Sequence, residues 1–333
     1  MKVGAVTARR VLSIMSEIRD GQNQADYWLE LLYGSEFAPL LVHCGHWEDG
    51  RQQPLSPERF LYILQNSWSR QGTFQLPPRQ QRLERHFARA YSFLDRLQEI
   101  LSYYHEYLRD NLEPCLDREV RPYLPESVTV GQKVELTLGT DQLAFVAGDI
   151  YLDLLGVREL GEQRVEQYVA HEVFHEAHNR LAANSAKRYS RQLFASLFGL
   201  QSEGVANHVI GGAREVLELR YKHSQSPERD QLLQRLQMYA DFERAPGAGF
   251  EELFSMLQRA AEGRTEGVAA WFRKTSPGHY QGVAMADAIE EKLGIDALVA
   301  TLKDPGEFVL AYAQTGAHVP PKLLSILQKI SAE

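Results

Sequence analysis

The segment His171-Glu172-Val173-Phe174-His175 constrains the fold of this chain more than any other, because its HExxH pattern has a defined geometry only on a helix. Residues 162 to 182 have helical periodicity. Two histidines four positions apart lie on the same helical face, about 6 Å apart along the axis. Imidazoles in this arrangement can share one Zn²⁺, while Glu172 faces the side where a metal-bound water would lie. The motif therefore predicts a helix that carries two metal ligands and a general base.

An apolar stripe accompanies the motif on this predicted helix. It consists of Val165, Val169, Val173, Phe174, Ala177 and Leu181. Such a stripe packs on a core and leaves the histidine side of the helix facing a cleft. The alternative, a surface helix with two solvated histidines, is therefore the less favoured interpretation.

A catalytic zinc site needs a third protein ligand, and the metzincin pattern does not supply it. That pattern has a glycine three residues after the second histidine and a third histidine three residues later, where this chain has His178 and Leu181. His178 shares the face of the motif, but about 10.5 Å of helix separate it from His171. These histidines would not easily converge on one tetrahedral ion. We expect His178 to line the cleft or to support the ligands, with a plain surface residue as the alternative.

A glutamate from a later helix is the favoured third ligand. Glu203 lies inside a helical run, and residues 176 to 202 separate it from the second histidine. This length allows the first helix to end, the chain to turn, and an antiparallel helix to bring Glu203 back to the metal. Glu215 and Glu218 are the competing candidates.

Two neighbours of Glu203 fit this arrangement. Gly204 has no side chain and would let the two helices approach closely. Asn207, one turn after Glu203, could accept the remaining ring N–H of a ligand histidine and fix its tautomer.

The sequences HEVFHEAH (171 to 178) and SEGVAN (202 to 207) resemble those of the gluzincins, zinc peptidases such as thermolysin in which a glutamate follows HExxH. More closely, they resemble an uncharacterised bacterial family of predicted zinc-dependent proteases in which the later glutamate also precedes a glycine. The resemblance covers roughly residues 126 to 315. It implies a zincin-like core and one Zn²⁺ per chain, with His171, His175 and Glu203 as ligands and Glu172 as catalytic base. Thermolysin-like enzymes have aspartate where this chain has Asn207, so no charge effect is implied there.

Peptide hydrolysis also needs a donor that stabilises the oxyanion. Zinc peptidases commonly use a histidine or tyrosine from a late loop or helix start. Residues 276 to 282 form a predicted Pro-Gly turn before a helix and place His279 and Tyr280 there. Tyr280 is preferred, because similar proteases have a tyrosine before a small helix at this point. The alternative is a turn with a packed tyrosine.

Strands are predicted upstream of the motif, at residues 128 to 138 and 144 to 154. An exposed strand edge beside the metal could bind a peptide as an additional strand. An ordinary amphipathic strand in a small sheet fits the same residues.

The charge and cysteine content narrow the class of protein. With 36 basic and 44 acidic residues, a formal net charge of −8 and no dense basic patch, the chain is not expected to bind nucleic acid. No apolar run is long enough for a signal-peptide core or a membrane span. We therefore expect a cytoplasmic protein that acts on a peptide or protein and not on a membrane, while no feature specifies an oligomeric state.

Cys44 and Cys115, far apart in sequence, imply neither a disulfide framework nor a cysteine-based zinc site.

The segment His43-Cys44-Gly45-His46 also contains potential metal ligands. It lacks a partner motif at zinc-finger spacing, so a polar loop is favoured over a second metal site.

The predicted fold is mainly α with a small β-sheet (α+β), with a zincin-like catalytic core and an added N-terminal helical subdomain. The subdomain spans residues 1–125 and the catalytic domain residues 126–333. The catalytic domain contains the strands at 128–154, the HExxH helix at 162–182, the glutamate helix at 187–220 and C-terminal helices. The other predicted helices are 7–20, 24–33, 57–69, 79–110, 227–242, 248–262, 281–293, 305–314 and 321–331.

These features favour a zinc-dependent peptidase in which Glu172 takes a proton from zinc-activated water during attack on the scissile carbonyl. The complete HExxH keeps a base that metal binding alone does not require. A noncatalytic helical binding protein with a retained zinc site is the alternative from another class. A zincin-like hydrolase of a non-peptide amide or ester is a third interpretation.

Overall fold

The structure is a computed structural model that describes residues 1–48, 51–69, 76–131, 133–140, 142–211, 213–223, 228–245, 247 and 249–332. Residue 132 of the first predicted strand and residue 212 of the predicted glutamate helix lie outside these ranges. So do residues 227 and 248, at the starts of two predicted C-terminal helices.

The described chain is mostly helical, at 74 %, with a four-stranded mixed sheet, which confirms the predicted α+β class. The strands are β1 (Lys2–Gly4), β2 (His46–Glu48), β3 (Arg51–Gln53), β4 (Lys133–Thr137), β5 (Ala144–Ala147) and β6 (Asp149–Asp153). The helices are α1 (Val6–Arg19), α2 (Ala25–Leu32), α3 (Ala38–Cys44), α4 (Pro57–Ser69), α5 (Pro78–Tyr91), α6 (Leu94–Glu119), α7 (Leu154–Leu160), α8 (Glu162–Ala182), α9 (Arg191–Ile210), α10 (Ala213–His223), α11 (Glu228–Arg244), α12 (Phe250–Ala261), α13 (Val268–Thr275), α14 (Gln281–Leu293), α15 (Ile295–Thr301), α16 (Pro305–Gln314) and α17 (Pro321–Ser331). No helix in the described ranges is long and apolar enough to cross a membrane.

The chain divides into two compact units. The first contains Met1–Glu113 and Gly131–Glu166, and therefore the four-stranded sheet and a two-stranded antiparallel sheet of β2 and β3. The second contains Pro114–Val130 and Gln167–Glu333, with the HExxH residues and Glu203. The domain boundary expected between residues 125 and 126 stays a prediction, as does the likeness to a zincin core.

The larger sheet has the strand order β1-β4-β6-β5. β1 and β4 are parallel, β4 and β6 are parallel, and β5 is antiparallel to β6. Residues 144 to 154, expected as one strand, form the β5–β6 hairpin, because Gly148 at φ +78° reverses the chain. Asp153 at the end of β6 accepts hydrogen bonds from the backbone N–H groups of Leu155 and Gly156 and so caps α7.

The segment from His43 to His46 is not the expected loop. His43 and Cys44 end α3, and His46 begins β2. The His43 ring stacks on Phe145 with centroids 4.0 Å apart, and the buried Cys44 thiol lies 3.1 Å from the carbonyl oxygen of Gly139. The contacts of the His43 ring and the Cys44 thiol are therefore packing contacts within the first unit.

The helices that carry the motif residues begin and end at identifiable signals. α8 has the predicted bounds, after Gly161 at φ +75°. The Ser190 side chain accepts a hydrogen bond from the N–H of Leu193 and caps α9. The helix expected over 187–220 is instead α9 and α10, because Gly211 at φ +62° ends α9.

In the second unit, α9 crosses α14 at direct backbone contact. A Cβ on Gly204 would lie 2.5 Å from the carbonyl carbon of Gly282, closer than a side chain can approach. Gly204 therefore permits a close helix crossing as expected, but its partner is α14 and not the HExxH helix. This contact places the start of α14 beside Glu203.

We expect Gly204→Ala to lower the free energy of unfolding by about 1–3 kcal/mol, because the added methyl group must separate two packed backbones. Denaturant unfolding followed by circular dichroism measures this. The matched control is Gly199→Ala in the same helix, where nothing lies within 4 Å of the new Cβ. That change should be neutral or stabilise by up to about 1 kcal/mol. Equal stability of the two variants would contradict the tight crossing.

Candidate functional site

Helix α8 presents both motif histidines on one face. The Nε2 atoms of His171 and His175 are 2.8 Å apart, with the rings nearly perpendicular at 87°. Val169, Val173 and Phe174 on the opposite side are fully buried. The apolar stripe thus fixes the helix against the core, and the histidine side chains remain 16 % exposed at the rim of a pocket.

Glu203 of α9 completes a cluster with these histidines. Its two carboxylate oxygens each lie 3.7 Å from a histidine Nε2 atom, Oε2 from His171 and Oε1 from His175. The ligand atoms of the three residues all lie within 4.8 Å of one another, and no other such group of three occurs in the described parts of the chain. Of the competing glutamates on α10, Glu218 accepts a hydrogen bond from Arg214, and Glu215 is exposed.

The cluster fits a zinc ion in both chemistry and spacing. Two imidazoles and one carboxylate form a donor set typical of catalytic zinc. Bonds of about 2.0–2.2 Å in a tetrahedral site put ligand atoms roughly 3.3 Å apart, and the observed separations of 2.8 and 3.7 Å lie on either side of that value. His175 Nδ1 lies 2.7 Å from the hydroxyl of Ser202. Donation to this hydroxyl leaves the Nε2 lone pair directed into the site.

Burial and neighbouring charges shift the pKa values of the three residues, and for His171 and Glu203 the shift favours the form that binds a cation. Burial, with the neighbouring His175, lowers the pKa of His171 to about 3, so His171 is neutral. Burial alone would raise the pKa of Glu203, but the hydrogen bond to His175 and the nearby imidazoles lower it overall. On His175, burial is outweighed by Glu203, which raises the pKa. The carboxylate is therefore ionised beside two ring nitrogens.

Glu172 lines the same pocket as the cluster. Burial raises the pKa of its carboxyl group, and this outweighs the opposing effects of His175 and of a hydrogen bond from Tyr168. A raised pKa brings a carboxylate closer to the neutral range in which a general base works best.

The pocket has a volume of about 270 Å³ and lies within the second unit. Besides α8 and α9, its lining comes from α10, α11 and the short 3-10 turn Pro277–His279 before α14. Helix α11 contributes Arg235 and Tyr239, and the turn contributes His279. The sequence-based expectations included His279 but not the two residues of α11.

His279 connects the carboxylate of Glu203 with the guanidinium of Arg235. Its Nδ1 lies 3.6 Å from Glu203 Oε2, and its Nε2 lies 3.2 Å from Arg235 Nη2. Burial and the positive charge of Arg235 outweigh Glu203 and lower the pKa of His279, so the ring is neutral. His279 Nδ1 also lies 3.1 Å from the amide nitrogen of Asn207, so groups that only donate, an amide NH2 and a guanidinium, approach both ring nitrogens.

Tyr280 does not line the pocket. Its side chain is buried at 4 % exposure, and its hydroxyl donates to the backbone carbonyl of Arg235 at 3.2 Å. The ring packs on Tyr239 and Phe242, with centroids 4.6 and 6.0 Å away. Burial raises the pKa of the Tyr280 hydroxyl to about 12.

Of the two expected supporting residues, Asn207 lines the pocket and His178 does not. The Asn207 side chain donates to the backbone carbonyl of Glu203 at 2.7 Å and lies 3.5 Å from its Oε2 atom, while Ser202 is the residue that contacts His175. His178 is fully buried, with Nε2 2.9 Å from Gln201 Oε1, and burial lowers its pKa to about 3. It packs between α8 and α9.

Neither Arg235 nor Tyr239 was indicated by the sequence. Tyr239 lines the pocket from α11, and its buried hydroxyl has no hydrogen-bond partner among the described residues. Arg235 and Tyr239 are four residues apart and so project from the same face of α11. This spacing is visible in the sequence, but such pairs are common on helices and point to no particular site.

A protein-family model matches the part of the chain that contains the site. A family model described as "Putative zinc dependent peptidase (DUF5700)" matches residues 59–318, which include His171, His175 and Glu203. No curated protein and no solved structure shows a significant match to the chain.

Proposed function

We propose that this chain, which belongs to the family described as "Putative zinc dependent peptidase (DUF5700)", hydrolyses peptide bonds with one zinc ion per chain. The observation that carries the proposal is the convergence of His171, His175 and Glu203 at one wall of a pocket that Glu172 also lines. Structural zinc sites typically have four protein ligands and need no base, whereas here three ligands converge beside Glu172, whose carboxyl group has a raised pKa.

The chain's own residues would hold the metal as follows. His171 and His175 offer Nε2 atoms, Glu203 offers a carboxylate, and the hydroxyl of Ser202 fixes the tautomer of His175. A bound zinc ion supplies Lewis acidity and lowers the pKa of water to about 7.

Glu172 would move the proton in hydrolysis. Its carboxylate accepts a proton from the attacking water and returns it to the nitrogen of the leaving amine. Because Glu172 lines the pocket that holds the three proposed ligands, its carboxylate could carry this proton directly.

Tyr239 would stabilise the oxyanion. Tyr239 lines the pocket, and its buried hydroxyl has no partner among the described residues, so it would be available to donate to a developing negative charge. The two residues expected for this role from sequence are otherwise engaged. The ring nitrogens of His279 lie 3.1 Å from the Asn207 amide and 3.2 Å from the Arg235 guanidinium, and Tyr280 donates to a backbone carbonyl.

We expect His171→Ala and His175→Ala to lose zinc and Glu203→Ala to retain markedly less than one ion per chain, because each change removes one of three converging ligand atoms. Elemental analysis of purified protein by mass spectrometry measures the metal. The matched control is Glu218→Ala, whose carboxylate pairs with Arg214 on α10. Stoichiometric zinc in Glu203→Ala would exclude Glu203 from the site.

We expect Glu172→Gln to keep the zinc content and fold of the wild type and to lose hydrolysis, because the substitution preserves size but removes the base. Cleavage of a peptide library, read by mass spectrometry, gives the activity. Normal turnover by this variant would refute the role of Glu172. A zinc-loaded wild type that cleaves no peptide would favour a binding protein or a hydrolase of non-peptide amides or esters.

We expect Tyr239→Phe to lower kcat by about 10²-fold, with little change in KM or zinc content, because the lost hydroxyl interacts with the transition state. The matched control is Tyr280→Phe, which removes the same atom from the adjacent ring, 4.6 Å away. It should leave kcat close to the wild-type value. The reverse pattern would return the donor role to Tyr280, as the sequence suggested.

A further inference from the structure

Arg235 is the one pocket residue whose charge the hydrolytic mechanism does not use. Among the described residues, its guanidinium contacts a histidine nitrogen and forms no ion pair with a carboxylate. One N–H of Nη2 is directed to His279, and a guanidinium has five N–H groups in a planar fork. The remaining N–H groups can therefore bind an anion that enters the pocket.

The position of Arg235 limits how far this anion lies from the reacting bond. A single imidazole separates the guanidinium from the metal-ligand carboxylate, with contacts of 3.2 Å to Arg235 and 3.6 Å to Glu203. An extended chain advances about 3.3–3.6 Å per residue. A negative charge held by Arg235 would thus be one or two residues from the scissile carbonyl.

Every peptide has a negative charge at that distance from its last bonds, the C-terminal carboxylate, whereas an acidic side chain supplies one only in some sequences. The pocket volume of about 270 Å³ lies just below the range of small-ligand pockets and favours a short chain end over a long bound segment. Ile210 and Leu217 in the same lining offer an apolar surface for the last side chain.

We propose that Arg235 binds the free C-terminal carboxylate of the peptide substrate, so that the enzyme removes residues from the C-terminus. This rests on the proposed peptidase function and names its substrate class. The guanidinium fork and a carboxylate match in a bidentate pair, which gives both affinity and register. The shorter of the two separations, one residue, places the last peptide bond at Glu172 and the proposed metal ligands.

A binding experiment separates this proposal from hydrolysis. The zinc-loaded Glu172→Gln protein is titrated into two N-terminally fluorescein-labelled peptides that end in leucine and differ only in a C-terminal acid or amide. Fluorescence anisotropy should show about tenfold or tighter binding of the acid, as expected for a charge-assisted hydrogen bond. A second substitution in the same protein, Arg235→Gln, should abolish the difference in affinity between the acid and the amide. Arg235→Lys in its place should restore that difference in part.

The matched control is Arg244→Gln, which removes the same charge from the exposed end of α11. It should leave the preference for the acid unchanged. Equal binding of acid and amide, or an equal loss of both with Arg235→Gln, would refute the proposal. A preference for an amidated peptide with an internal aspartate, dependent on Arg235, would also refute it and identify an acidic side chain as the ligand.

Cleavage by the wild type supplies the second measurement. We expect release of the single C-terminal leucine from the acid, at a kcat/KM about tenfold or more above that for the amide. If the acid is preferred in binding but the wild type cleaves neither peptide, the carboxylate site stands and the peptidase function fails. If both peptides are cleaved equally at internal bonds, the peptidase function stands and the proposal for Arg235 fails.

Discussion

The backbone contact between α9 and α14 determines where the pocket residues lie. Gly204 and Gly282 meet without side chains between them, and Glu203 and the turn before α14 flank this contact. A Cβ on Gly278 would lie 2.6 Å from the Cβ of Glu203, so this turn must also lack a side chain there. Because the chain meets these conditions, His279 reaches within 3.6 Å of the Glu203 carboxylate. The position of the Glu203 carboxylate thus depends on glycines outside the cluster of His171, His175 and Glu203.

Burial acts on the acidic and basic residues of the pocket in opposite directions, and both effects suit metal-dependent hydrolysis. It disfavours the charged form of each group, which lowers the pKa of His171 and raises that of Glu172. A neutral imidazole is the form that binds a metal, and a carboxylate of raised pKa is the stronger base. In Glu203 the effect of burial on the pKa is outweighed, because the surrounding imidazoles stabilise its negative charge. One enclosed environment thus gives two glutamates different roles.

The sequence predicted local features of the site better than long-range ones. The bounds of α8 follow from its helical periodicity, and the position of Glu203 follows from the length of chain needed to return to the two histidines. By contrast, Tyr239 and Arg235 enter the pocket because α11 packs on α10 and on Tyr280 at the start of α14, and no short-range pattern specifies these neighbours. Likewise, the break of the glutamate helix at Gly211 depended on a backbone conformation that a lone glycine permits but does not require.

The two adjacent tyrosines show how hydrogen-bond partners distinguish residues that the sequence treats alike. The rings of Tyr239 and Tyr280 are 4.6 Å apart, and both hydroxyls are enclosed. Tyr280 donates to the carbonyl of Arg235, whereas Tyr239 has no partner in the described part of the chain. An unsatisfied buried hydroxyl costs about 1–3 kcal/mol, a cost that a bound acceptor would remove. Because an oxyanion accepts more strongly than the carbonyl oxygen from which it forms, this gain is largest in the transition state. The same unpaired donor that weakens the fold would therefore favour the reaction over simple binding.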